Sequence, residues 1–191
     1  MEKKFLPDTI KGLRITLKRQ EMGNAPLMFD YVNRDRERLS RFLPWTEFVK
    51  TVEDERGFIR QCDENWESHK AAQYAIFSSN GEYMGNIGAF NFNWDHESCE
   101  IGYWILGQFE GKGYMSESVA LLEEVLFETG FHRIIICCDT ENIRSGNVPK
   151  RLKYRLEGVM RDCFKNGDHF ENHQVYSKLS TEVSLHKKYL S

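Results

Sequence analysis

The stretch Gly111-Lys112-Gly113 is the place in this sequence where backbone, rather than side chains, could hold a ligand. Glycines let the chain pass close to a bound group, and a helical stripe of Met115, Ser118, Val119, Leu122 and Leu126 follows directly. A helix start offers unpaired N–H groups and the positive end of a dipole, so the combination favours a phosphate. Two phosphate motifs do not fit. A Walker loop needs G-x-x-x-x-G-K-[ST], but Gly107 stands four positions before Gly111, and Gly113 replaces the hydroxyl residue. A dinucleotide fingerprint needs a third glycine where Ser116 stands. The plain alternative is a tight strand-to-helix turn. Glu100 is a second candidate, because strand alternation groups it with Gly102, Trp104 and Leu106. A carboxylate among apolar side chains is pushed toward the range of a general base; at a solvated strand end it would do nothing. His169 and His173, four apart, would pair on a metal only in a helix. They follow Asn166-Gly167 in an expected strand, and so read as surface residues.

These residues need elements to hold them, and periodicity supplies the order. Leu13-Arg-Ile-Thr-Leu-Lys18 alternates as a half-buried strand does. Leu27, Met28, Tyr31 and Val32, then Leu39, Phe42 and Leu43, recur at helix spacing until Pro44 ends the stretch. Phe58, Ile59, Cys62 and Trp66 predict an amphipathic helix within residues 52–68. Residues 72–77 and 83–90 read as strands joined at Asn80-Gly81, a hairpin signal. A strand over 99–106 leads into the glycine loop. Arg133-Ile-Ile-Ile-Cys-Cys138 is a continuous apolar run, which predicts a strand buried on both faces. Residues 145–152 allow a short helix, provided that Pro149 falls in its first turn. Two strands around Asn166-Gly167 follow, and a polar tail covers 181–191. This order predicts an α/β domain of mixed α+β character on one mostly antiparallel sheet, not a doubly wound fold.

In chain order, Glu100-Ile-Gly-Tyr-Trp-Ile-Leu106 runs into Gln108-Phe-Glu-Gly-Lys-Gly113, which fits [QR]-x-x-G-x-[GA]. Asn142-Ile-Arg-Ser145, Val148, Lys150, Leu156-Glu-Gly158 and Arg161-Asp162 come after, and Arg41-Phe-Leu-Pro-Trp45 before. As an ordered series these resemble the GNAT superfamily of acyl-CoA-dependent N-acyltransferases. Within it the match is to the RimJ/RimL-type group, which acetylates ribosomal-protein N-termini. The resemblance spans residues 10–180 and implies a single acyltransferase domain over 1–191. It implies a sheet splayed between its fourth and fifth strands, with the pantetheine arm of acetyl-CoA on the backbone of Trp104, Ile105 and Leu106. The pyrophosphate would rest on Gln108, Phe109, Glu110, Gly111, Lys112 and Gly113 and on the helix start at Tyr114 and Met115. With Glu100 as candidate base, the resemblance adds a hydrogen-bonding role for Asn142 and protonation of the leaving thiolate by Ser145, both beside the cofactor. Ser145 could also cap the short helix. Lys150 is the basic residue best placed for a CoA phosphate, and Phe42, Trp45 and Trp94 could line the acceptor mouth. The sequence departs from the group's pattern at three points. Lys153 stands where a glycine usually ends the short helix, Asn172 stands where aspartate is common, and no acid stands near Phe164.

Composition mainly excludes. The 191 residues are 40% hydrophobic and 29% charged, which suits one globular domain, and the net charge of -3 gives no electrostatic reason to bind nucleic acid. No apolar run approaches the roughly 20 residues of a membrane span, and no apolar stretch backs the N-terminal lysines as a signal peptide would. Five cysteines without a CxxC pair argue against a zinc site or disulfide framework and fit a reducing cytoplasm. Residues 93–128 carry eight acids against Lys112, and residues 144–161 six bases against Glu157. The basic block suits CoA phosphates or a solvated face equally. At pH 7 an α-amine with pKa near 8 is about a tenth neutral, whereas a lysine is neutral well under a thousandth of the time. The expected acceptor is therefore a protein N-terminus. A small-molecule amine (a polyamine or an antibiotic) and a non-catalytic acyl-CoA sensor are the alternatives, no metal is expected, and a homodimer stays open.

Overall fold

The computed structural model describes residues 2–182; the remainder of the tail, 183–191, lies outside the described residues. The strands are β1 (Thr9–Lys11), β2 (Ile15–Arg19), β3 (Ala72–Ser78), β4 (Tyr83–Asn93), β5 (Ser98–Ile105), β6 (Arg133–Asp139), β7 (Arg155–Asn166) and β8 (His169–Leu179). The helices are α1 (Ala25–Arg34), α2 (Arg36–Ser40), α3 (Val52–Glu67), α4 (Tyr114–Thr129) and α5 (Ile143–Arg151). Among the described residues the strands form one sheet in the order β1-β2-β3-β4-β5-β6-β8-β7. All neighbours run antiparallel except β5 and β6, which run parallel. The mixed, mostly antiparallel sheet expected from the sequence is thus present. It is extended by the short β1, which local pattern did not predict.

Helix boundaries follow local chemistry. The Thr51 side chain accepts from the Asp54 N–H while Asp54 accepts from the Thr51 N–H, so α3 starts on a reciprocal cap. Pro44 opens a 3-10 turn over Pro44–Glu47, which Arg36 pins by donating to the carbonyls of Thr46 and Val49. In α4, Val119, Leu122 and Leu126 are buried in one cluster with Ile101 of β5 and with Ile134 and Ile136 of β6. Each such side chain contributes about 2 kcal/mol of burial. Two acids of the 93–128 block are also buried in α4: Glu117 takes Arg14 and Glu123 takes Lys178, the latter at 2.7 Å.

Two expectations are corrected here. β6 is not buried on both faces: Ile134, Ile136 and Cys138 are covered, while Ile135 and Cys137 are only half-buried. Helix α5 starts at Ile143 instead of Ser145, so Pro149 falls in its second half. A proline there cannot donate to the Ser145 carbonyl; that carbonyl accepts from the Tyr103 hydroxyl at 3.1 Å instead.

Candidate active site

β5 and β6 pair only from Ser98–Arg133 to Glu100–Ile135. Beyond Glu100, β5 stays with β4 as far as Ile105–Gly85, while β6 stays with β8, and the two strands part. The Leu106 N–H bonds the Met84 carbonyl at 2.9 Å. Strand alternation therefore turns the peptide groups of Tyr103 and Ile105 toward the opening, where the Ile105 carbonyl accepts from Arg38 at 2.7 Å. The opening runs into a cleft of about 700 Å³, lined by Tyr103, Trp104, Ile105, Gly111, Gly113, the first turn of α4 and the start of α5. That volume suits a cofactor-sized ligand.

The floor of the cleft is a backbone cradle. Gly111 and Gly113 both take left-handed conformations, with φ of 73° and 82°, which cost another residue about 1–2 kcal/mol. Gly113 is the N-cap of α4 and no side chain caps it. The N–H groups of Tyr114, Met115 and Ser116 therefore lack helical acceptors, and these residues line the cleft. Arg14 sets the loop in place: it donates to the Lys112 carbonyl at 3.0 Å and to the buried Glu117 at 2.8 Å, and lies over the Tyr114 ring. The cradle fits a pyrophosphate.

Charge crosses the mouth of the cleft in a chain. Asp35 accepts from the Gly107 N–H at 2.9 Å and from Arg38, and although burial opposes it, these donors hold its carboxyl below the usual range. Arg38 reaches Glu110 at 2.6 Å, and Glu110 also pairs with Arg144 of α5. The acidic and basic blocks of the sequence meet here.

Two sets of reactive groups lie by the parting on opposite faces of the sheet: Tyr103 and Ser145 line the cleft, while Glu100 stands at the last β5–β6 pair and is not part of the lining. On the α5 side, Asn142 caps the helix by accepting from the Ser145 N–H at 3.1 Å. Ser145 is thus not the cap, and its Oγ lies 3.4 Å from the Tyr103 hydroxyl. Burial raises the Tyr103 pKa well above the phenol range, so this hydroxyl keeps its proton. Tyr103 was not singled out from the sequence; its alternation with Glu100 was the available signal. On the other side stands Glu100, half-buried, its carboxyl raised by burial against the opposing Asn91 amide, which donates at 3.2 Å. Asn91 reaches it because β4 bulges between Phe90 and Asn93, with Asn91 left-handed at φ 54°.

The remaining expected residues divide. Asn142, Ser145, Phe42, Trp104, Ile105, Phe109, Glu110, Gly111, Gly113, Tyr114 and Met115 line the cleft; Leu106, Gln108, Lys112 and Lys150 do not. Arg144 and Arg151 are the basic α5 residues that line it. Trp45 packs on Trp104, ring centroids 5.8 Å apart, on the Glu100 side. Trp94 is corrected: it is buried with Phe92 and Phe131 beyond the far end of α4, its indole donating to the His69 carbonyl. Lys153 keeps the tight helix exit by adopting φ 64° itself. Glu171 is paired across the strands with Phe164, so an acid does stand near Phe164, supplied by β8. His173 is mostly covered rather than a surface residue. Cys62, Cys99 and Cys138 pack in the interior, but Cys163 is exposed. Among the described residues no group of His, Cys, Asp and Glu is arranged for a metal, and no helix is long and apolar enough to cross a membrane.

A sheet parted beside a glycine cradle at a helix start, with hydroxyls and a carboxylate on its two sides, defines a class of acyl-transferring enzymes. The family model described as "Acetyltransferase (GNAT) domain" matches residues 14–155, and the chain belongs to that family. It is an N-acetyltransferase that draws on acetyl-CoA. It is similar to the uncharacterized N-acetyltransferase YnaD of Bacillus subtilis (strain 168), 27% identical over 171 residues, covering 88% of this chain and 95% of that one. It is similar to the ribosomal-protein-serine acetyltransferase of Escherichia coli (strain K12), 24% identical over 153 residues, covering 80% and 85%. Mycobacterium smegmatis RimJ in complex with CoA-disulfide has a TM-score of 0.87 at 21% identity, covering 93% and 90%, which shows the shared fold.

Proposed function

We propose that the protein acetylates the N-terminal amine of a protein in the cytoplasm, of the kind its Escherichia coli relative's name describes, by direct transfer in a ternary complex. The observation that carries this is the two-sided parting, with Ser145 and Tyr103 on one face of the sheet and Glu100 on the other. The α4 cradle would hold the pyrophosphate, the Tyr103 and Ile105 peptide edge the pantetheine arm, and Arg144 and Arg151 the remaining phosphate. The bound thioester supplies an activated acetyl group. Glu100 accepts a proton from the incoming ammonium, which frees the nitrogen lone pair. Ser145, backed by Tyr103, gives a proton to the departing thiolate. An α-amine suits such a site because its ammonium, with a pKa near 8, gives up a proton to a carboxylate far more readily than a lysine near 10.4 does. The acceptor face is open, with Phe42, Trp45 and Trp104 on one side and the β7–β8 hairpin on the other, bridged where Asn166 contacts the Arg41 carbonyl.

The test is thiol release and mass analysis with peptides bearing free or blocked N-termini. Acetylation of free N-termini alone is expected. Label confined to internal lysines, or turnover only with small amines, would sink the proposal.

A further inference from the structure

The sheet face that carries Glu100 continues past the parting onto β6 and β8. Ile135, Cys137 and Asp139 share that face, and the register sets His173 opposite Asp139. Two residues earlier on the same face of β8 is Glu171, with only 5% of its side chain exposed. Its Oε1 accepts from the Asn166 amide at 2.6 Å, and its Oε2 lies 3.4 Å from His173 Nε2. His169 Nε2 lies 3.6 Å from Oε1, at the exposed end of the hairpin. The His173 ring stacks on Phe164, centroids 5.3 Å apart and 26° between planes. Asn166 also reaches the Arg41 carbonyl beside Phe42, which ties this cluster to the acceptor side of the cleft. With Nε2–H donated to Glu171, Nδ1 keeps its lone pair, the arrangement in which a carboxylate orients an imidazole as a base. His173 is also close enough for its charge to be felt by Glu100, and 17% of its side chain reaches solvent.

We propose that His173, oriented by Glu171, carries the acceptor's proton from Glu100 to solvent, so that the base of this transferase is the series Glu100, His173, Glu171. The proposal deepens, and rests on, the reading of Glu100 as the group facing the amine. One ammonium N–H bond breaks and its proton passes to the Glu100 carboxylate. His173 Nδ1 takes it from Glu100 through intervening water, while Nε2–H stays on Glu171, and the imidazolium then releases a proton to solvent. The second nitrogen-borne proton leaves by the other face through Ser145 to the thiolate, so each acetyl transferred yields one thiol and one solvent proton. His173 is on this account a positioning and relay residue. The titratable groups around it are Glu100 from β5, Cys137 and Asp139 from β6, Cys163 from β7, Glu171 and His169 from β8, and Arg41 after α2.

The experiment measures kcat and KM on a free N-terminal peptide from pH 6 to 9, for the full chain, His173→Gln and Glu171→Gln, each with and without added imidazole. His173→Gln is expected to lower kcat about 100-fold at pH 7, to leave KM for acetyl-CoA within about twofold, and to recover with imidazole and with rising pH. Glu171→Gln, which leaves His173 Nε2 without a carboxylate to orient it, is expected to lower kcat by a smaller factor than His173→Gln and to leave KM for acetyl-CoA within about twofold. An unchanged kcat in His173→Gln, or a loss that neither imidazole nor pH restores, overturns the relay. If the unaltered chain acetylates no amine, the proposed function fails first and takes the relay with it. If it acetylates peptides and the variants behave alike, only the relay fails.

Discussion

Glu55 in α3 is 1% exposed, and its Oε1 finds no hydrogen-bond partner among the described residues. Burial pushes its carboxyl from an ordinary 4.5 up to about 7, with Asp54 adding to the rise and Arg36 opposing it. The folded chain therefore holds a proton that the unfolded chain gives up. The stability tied to that proton is fully present below pH 4.5 and is lost as pH rises through about 7. At about 1.36 kcal/mol per pH unit, the interval is worth about 3 kcal/mol. Glu55→Gln preserves the shape of the protonated acid and cannot ionise. At pH 8 the variant should be about 3 kcal/mol more stable than the unaltered chain, and at pH 5 within about 1 kcal/mol of it. For a domain of this size that is a melting-temperature gap of about 6–12 °C at the higher pH, closing at the lower. Urea unfolding at pH 5, 6.5 and 8, followed by tryptophan fluorescence, measures it. Stability curves that run parallel for the two chains across this range would refute the reasoning.

Four further outcomes are expected. Gly113→Ala places a side chain at φ 82° and should cost about 1–2 kcal/mol of stability, seen as a melting point about 2–8 °C lower; an unchanged melting point contradicts a cradle held in that conformation before CoA arrives. Lys153→Gly relieves a left-handed residue at φ 64° and should raise stability by about 1 kcal/mol, seen as a melting point about 2–4 °C higher. Lys178→Met takes the buried ammonium away from Glu123 and should cost about 3–5 kcal/mol, largely recovered in the double variant with Glu123→Leu; equal loss in both would show that the pair is not the cause. Ser145→Ala and Tyr103→Phe should each lower kcat and leave CoA affinity within about twofold, in single-turnover thiol release. A pure KM effect in both would remove them from the proton path to sulfur.

What could be read from the chain was what neighbours in sequence decide. Helix α3 falls at 52–67, within the range its apolar stripe predicted. The glycine loop and the helix behind it are likewise local chemistry. What escaped was decided by partners far along the chain. Pro149 seemed to demand a first-turn position, because sequence alone does not show that Tyr103 takes the hydrogen bond of the vacated Ser145 carbonyl. The apolar run of β6 hid its half-open face, since composition does not say where a neighbouring strand departs. Trp94 looked like a mouth residue, but Phe92 and Phe131 enclose it. The acid near Phe164 was sought on its own strand and arrives on the next one.

The parting of β5 and β6 also has a mechanical consequence. Two plates of strands are joined by a seam of three residues on each side, 98–100 against 133–135. Apart from the three-pair edge ladder of β1 and β2, the other ladders are longer. Such a seam is the natural line along which the sheet flexes, and hydrogen exchange should divide there into two blocks of protection. A chain of amides laid between the open edges acts as a missing strand, so the substrate that the sheet admits also stiffens it.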